Sequence, residues 1–221
     1  NFKIKNCSFQ KNKSFFDVEM RLPNKNKIVL KKFELPLIGS HNVKNATAAI
    51  AVSYFIGISP IILKNSLKKF KGVERRFNKI FTYNGADIYD DYAHHPTEIR
   101  EVLNGVSNSY KEKKILCIFQ PHRVSRINDL KDEFCYSFKN ASYVILCPIY
   151  KAGENLKLNL DYYKFAEQIS KKSKVQVFFI NNKYELAKFL KKFLNKENMA
   201  IGMGAGSISS WIKELPSLMK K

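Results

Sequence analysis

A chain of 221 residues, 45% hydrophobic and 26% charged, is long enough for one large domain or two small ones around a real core. Its formal charge of +20 comes from 39 basic against 19 acidic residues, yet only Arg21, Arg75, Arg76, Arg100, Arg123 and Arg126 are arginines, and the lysines are scattered in short solvated faces such as "KKFLNKEN". There is no stripe of interleaved Arg and aromatic residues, no apolar run near the roughly 20 residues of a membrane span, and no signal-peptide run in "NFKIKNCSFQ", so a soluble cytoplasmic chain without nucleic-acid or membrane partners is expected.

Residues 1–35 alternate apolar and polar in short runs, "FKIKNCSF", "SFFDVEM" and "KIVLKKFEL", and read as antiparallel strands. "NVKNATAAIAVSYFI" is an Ala-rich helix that stops at Gly57. "SPIILKNSLKKF" is a second helix, with Ser59 as cap and Pro60 in its first turn, ending before Gly72. "KGVERRF" reads as a linker, which divides the chain into residues 1–72 and 73–221.

Beyond the linker, apolar strands alternate with helices. "GADIYDDY", "KILCIFQ", "YVILCPIY", "VQVFFI" and "NMAIGMGAG" are the strands. "PTEIREVLNGVSNSY", "RINDLKDEFCYSFKN", "DYYKFAEQISKK" and "KYELAKFLKKFL" are the helices, and "SISSWIKEL" closes the chain. That alternation predicts an α/β fold with a mostly parallel sheet covered on both faces. Ligands of such sheets sit beyond the carboxyl ends of the strands. "DDYAHH", "QPHR", "IYKAGE" and "GMGAGS" all follow strands, so they should gather on one edge.

The scarce residues are sorted the same way. His41 lies in "GSHNVKN", His94 and His95 in "DDYAHH", and His122 in "QPHRVSR". Four arginines fall in "ERRF" and "QPHRVSR", where a planar fork does what Lys does not. Asn42 and Asn45 are three apart at a helix start, so their amides share a face and could match an adenine edge, although N-capping also explains Asn42. A guanidinium of "ERRF" could close on a phosphate, or merely pair with Glu74. Arg123 and Arg126, three apart at a helix N-terminus, suit a carboxylate or phosphate. The glycines of "GMGAGS" could let backbone approach a ligand closely. Cys7, Cys117, Cys135 and Cys147 are far apart with no CxxC pair, so no metal site is expected from them.

"GSHNVKNATAAIAV", "FKGVERRF", "DDYAHHPTEI", "FQPHRVSR", "YKAGE" and "GAGSI", in this order and spacing, resemble the C-terminal part of the Mur ligases. The resemblance implies a Rossmann-like C-terminal domain over residues 73–221. Residues 1–72 would be an incomplete α/β segment from the end of a central ATPase domain. It implies ATP and Mg2+, with the magnesium ligands and phosphate loop expected in an N-terminal part, carried by a longer or a separate chain. The implied chemistry is phosphorylation of a carboxylate by ATP, then attack of an amino group on the acyl phosphate. "FQPHR" favours members that join L-alanine to UDP-N-acetylmuramate over those that recycle murein tripeptide; a non-catalytic nucleotide-binding remnant is the other alternative. By resemblance, His41, Asn42 and Asn45 would hold adenine, Arg76 the ATP phosphates, and Asp91 and Tyr92 the nucleotide. His94, His122, Arg123 and Arg126 would form the amino-acid and acyl-phosphate side, with Arg76, His94 and Arg123 closest to catalysis.

Overall fold

The computed structural model describes residues 2–10, 13–21, 26–154 and 160–220. The chain divides into two compact units, Asn1–Val73 with Asn104–Tyr110, and Glu74–Leu103 with Lys111–Lys221. Each has its own core.

In the first unit, β1 (Phe2–Gln10), β2 (Lys13–Arg21) and β3 (Lys27–Leu35) form an antiparallel sheet in sequence order. Strict alternation on β2 turns Phe16, Val18 and Met20 inward. They meet Leu30, Phe33 and Leu35 of β3, then Val43, Ala46 and Ile50 of α1 (Ser40–Phe55) and Leu63 of α2 (Pro60–Lys68). Ser59 caps α2 as expected, its hydroxyl accepting from Ile62 N at 3.4 Å. Asn42 does not cap α1. The helix starts two residues earlier, after Gly39 at φ 98°, a conformation open to glycine. Val52, Phe55, Ile56, Ile61 and Ile62 remain 55–72% exposed.

The second unit is built on a sheet of order β4-β5-β9-β6-β7-β8. Its strands are β4 (Asn78–Tyr83), β5 (Ala86–Asp91), β6 (Lys114–Phe119), β7 (Tyr143–Leu146), β8 (Gln176–Phe179) and β9 (Asn198–Met203). The helices are α3 (Pro96–Ser109), of which the part from Asn104 onward is grouped with the first unit, α4 (Val124–Asp129), α5 (Lys131–Tyr136), α6 (Tyr162–Ser173), α7 (Lys183–Phe193) and α8 (Ile208–Lys220). All pairings from β5 to β8 are parallel, and their strands carry the fully buried Ile88, Leu116, Ile118, Ile145 and Ala200.

Two expectations need correction. β4 was not foreseen. It pairs antiparallel with β5 through a tight turn at Asn84 (φ 47°) and Gly85 (φ 77°), the asparagine–glycine pair that a two-residue hairpin favours. The single helix expected over "RINDLKDEFCYSFKN" is two short ones, broken at Leu130 (φ −115°, ψ 25°). Because β5, β9, β6 and β7 are neighbours and parallel, their carboxyl ends line up. Gly204 N donates to Asp91 O (3.3 Å), Gln120 N to Met203 O (3.0 Å), and Cys147 N to Phe119 O (2.9 Å). The four polar segments therefore share one edge, as the alternation implied.

Candidate active site at the carboxyl edge of the parallel sheet

After β5 the chain turns sharply and starts α3. His95 Nδ1 accepts from Thr97 N (3.3 Å), Pro96 takes the first helical position, and Glu98 Oε2 reaches back to the N–H groups of His94 (3.1 Å) and His95 (3.2 Å). Burial raises the Glu98 carboxyl, but those two N–H groups and then His94 and Arg76 outweigh it and hold it below the usual range. The two adjacent histidines thus divide their work. His95 caps the helix, and His94 joins the edge.

His94 stands edge-on to Tyr92 at 5.2 Å and lies 5.7 Å from the His122 ring, centroid to centroid. His122 stacks on Tyr150 at 5.4 Å and 21°. Arg126 Nη1 donates to His122 Nδ1 at 3.4 Å. Burial first, then the charges of Arg126, His94 and Arg123, push His122 below the usual imidazole range, so its ring is neutral at neutral pH. Since arginine only donates, His122 Nδ1 is the acceptor and Nε2 carries the proton. His94 Nδ1 instead faces acceptors, Tyr92 O at 2.9 Å and Glu98 Oε2 at 3.4 Å, so it carries a proton. The two imidazoles sit side by side, one with Nδ1 turned to a donor and the other with Nδ1 turned to acceptors.

Asp91 is 2% exposed, and its two oxygens accept from Phe77 N (2.8 Å) and Ala93 N (2.7 Å). Burial lifts its pKa to about 6 against those two bonds and Arg76. It fastens the "ERRF" turn to the "DDYAHH" turn. Arg76 points outward, 48% exposed, with Nη1 3.9 Å from Glu98 Oε1. Arg75, absent from the expected residues, is the more enclosed of the pair, and its guanidinium lies 4.5 Å over Tyr92.

Arg123 is exposed, heads α4 and sits in the left-handed region at φ 69°. The N-terminus of α4 is not open to a ligand's anion, contrary to expectation. Glu154 occupies it, accepting from Val124 N (2.8 Å), Ser125 N (3.4 Å) and the Ser125 hydroxyl. The Ser125 hydroxyl bond, the two N–H groups and Arg123 keep that carboxyl below its usual range. The anion-binding capacity left here is in the Arg123 and Arg126 side chains. The glycines also differ from expectation. A Cβ on Gly202 would meet Ile212 at 2.5 Å, on Gly204 the carbonyl of Gln120 at 2.9 Å, and on Gly206 Tyr150 at 2.5 Å. Their space is filled by the chain itself. Gln120, 3% exposed, locks this turn to β6 through Ile208 N (3.0 Å) and Ser207 Oγ (3.0 Å).

His41, Asn42 and Asn45 lie in the first unit, on the first turns of α1. Asn42 Nδ2 donates to Ile38 O (2.8 Å), and Asn45 is exposed. Among the described residues no group of three or more His, Cys, Asp or Glu is arranged to hold a metal ion, so no magnesium site is assigned to them. Among the same residues, no helix is long and apolar enough to cross a membrane.

The chain is 55% identical over 219 residues to the UDP-N-acetylmuramate–L-alanine ligase of Pelagibacter ubique, covering 99% of this chain and 47% of that protein. It is 38% identical to the enzyme of the same name from Bartonella tribocorum, covering 96% of this chain and 44% of the relative. The chain thus spans about half the length of the curated relatives it matches. Its fold superposes on the UDP-N-acetylmuramate–alanine ligase of Thermotoga maritima with a TM-score of 0.79 at 24% identity, over 99% of this chain and 46% of that one. Residues 75–206 match the family described as Mur ligase, glutamate ligase domain, and the chain belongs to that family.

Proposed function

We propose that this chain is the C-terminal part of an ATP-dependent ligase that joins L-alanine to UDP-N-acetylmuramate. The observation that carries the reading is the pair of imidazoles, 5.7 Å apart, beside the arginines of "QPHRVSR". Arg123 and Arg126 offer two forks for the amino acid's carboxylate. His94 Nε2 can take the proton that the attacking amine must lose. His122 Nε2–H can donate to the oxygen that becomes negative as the acyl phosphate is attacked. ATP is a substrate and supplies the phosphoryl group. Arg76 is the exposed cation for its phosphates, and Tyr92 lies beneath both arginines of the turn. Asp91 acts by fastening Arg76 and His94 through the neighbouring N–H groups. His41, Asn42 and Asn45 are the adenine side of the same reading.

Residues 1–72 are assigned to the end of a central ATP-binding domain and 73–221 to the C-terminal domain. Limited proteolysis should cut near Gly72, in an exposed stretch without regular structure, and leave the C-terminal piece intact. Equal digestion of both parts would count against that boundary.

No Gly-Lys dipeptide occurs in the 221 residues, so the phosphate-cradling lysine of a nucleotide loop must come from elsewhere. Phosphoryl transfer depends almost wholly on such positioning. This polypeptide alone should therefore release no ADP from ATP, UDP-N-acetylmuramate and L-alanine. Supplied with the N-terminal half of the Pelagibacter ubique relative, it should release ADP only when all three are present. ADP release by the polypeptide alone would overturn the division of labour.

A further inference from the structure

We infer that Arg75 is a positioning residue, which sets the rotation of the Tyr92 ring and through it the place of His94. The inference rests on the ligase reading only for the use made of His94. Arg75 holds a left-handed backbone (φ 57°), and its carbonyl accepts from Tyr92 N at 2.7 Å. Its side chain is engaged on three sides. Nη2 donates to Gly204 O at 2.7 Å, the guanidinium face covers the Tyr92 ring at 4.5 Å, and Nε lies 3.7 Å from Asp90 Oδ2. Asp90 is itself 1% exposed and accepts from the Ser209 hydroxyl of α8 at 2.6 Å. One side chain therefore ties the turn before β4, the end of β5 and the turn after β9 to a single aromatic ring. That ring stands at 79° to His94. Arg76, next in sequence, lies farther from the Tyr92 ring, at 5.8 Å, and faces outward with its ion pair to Glu98.

Only a guanidinium can do this. Its planar face stacks, its terminal nitrogen bonds the carbonyl, and its Nε edge faces the carboxylate, all at once. An ammonium keeps one of the three. Strain points the same way, because a non-glycine residue persists at positive φ only where its surroundings over-determine it.

The test is aromatic and arginine side-chain NMR on the 221-residue chain. In the unmodified chain, an NOE should link the Arg75 Nε–H to the Tyr92 ring, and another should link the Tyr92 and His94 rings. In Arg75→Lys, the Tyr92–His94 NOE should be lost and the His94 ring signals should move. Ser209→Ala removes a bond to Asp90 without touching the ring, so it should lower the unfolding midpoint and leave His94 in place. If Arg75 serves stability alone, both variants lose stability and neither moves His94, which overturns the inference. Absence of the Arg75–Tyr92 NOE in the unmodified chain overturns it even if no variant folds. These readouts need no substrate, so failure of the ligase reading leaves them standing and is recognised by the ADP assay instead.

Discussion

Arg123→Gly should disable the amino-acid site while leaving the protein as stable as before or more stable, by up to about 1 kcal/mol. Arg123 occupies φ 69°, which glycine adopts freely and arginine does not. Its own side chain is exposed, so removing it opens no cavity. Loss of a charged hydrogen bond costs on the order of 1.5–3 kcal/mol, about 10- to 150-fold in binding. The effect should appear in the Michaelis constant for L-alanine of the reconstituted enzyme, with that for ATP nearly unchanged. Arg123→Lys keeps the backbone cost and the charge but loses the fork, so it should lose alanine affinity with little change in stability. If Arg123 only heads α4, both variants would leave the alanine dependence intact. Equal weakening of ATP and alanine would move Arg123 to the phosphate side.

Asp91→Ala should cost roughly 2–6 kcal/mol, because it orphans the N–H groups of Phe77 and Ala93, at about 1–3 kcal/mol for each one left buried. It should also lower the turnover of the reconstituted enzyme, since the turns that carry Arg76 and His94 lose their common fastening. The ionised carboxyl has its own signature. Burial holds the folded pKa at about 6 against 3.8 for the ordinary group. A carboxyl that binds its proton more tightly folded than unfolded favours folding at low pH. Its contribution is therefore largest below the ordinary value, falls as pH rises through about 6, and is constant above. Asp91→Asn has no such titration. Urea unfolding across this range should show the stability difference between the parent chain and Asp91→Asn shifting against the parent as pH rises from about 4 to 6. A difference independent of pH would show that Asp91 does not titrate there.

The parallel sheet was legible because strands buried on both faces are written as unbroken apolar runs, such as "KILCIF". β4 was not, since edge strands are half-exposed and "NKIFTY" carries no such run; the asparagine–glycine turn beside it was the available signal. The gathering of "DDYAHH", "QPHR", "YKAGE" and "GMGAGS" followed from topology alone. Who touches whom did not. Glu154 caps α4 from 30 residues away, and Gln120 bonds Ile208 across 88. No local pattern encodes such partners, so an anion site filled by the chain's own carboxylate read as an open one. Nor could "ERRF" say which arginine turns inward. That is set by Gly204, Asp90 and Tyr92, brought together by β5 and β9.

The most direct test is the identity of the product. The chain, supplied with the N-terminal half of the Pelagibacter ubique relative, should be given ATP, UDP-N-acetylmuramate and an equimolar mixture of L-alanine and murein tripeptide. Mass spectrometry should find UDP-N-acetylmuramate enlarged by one alanine residue, in step with the ADP released, and no tripeptide adduct. A tripeptide adduct, or ADP release without any new amide, would contradict the assignment.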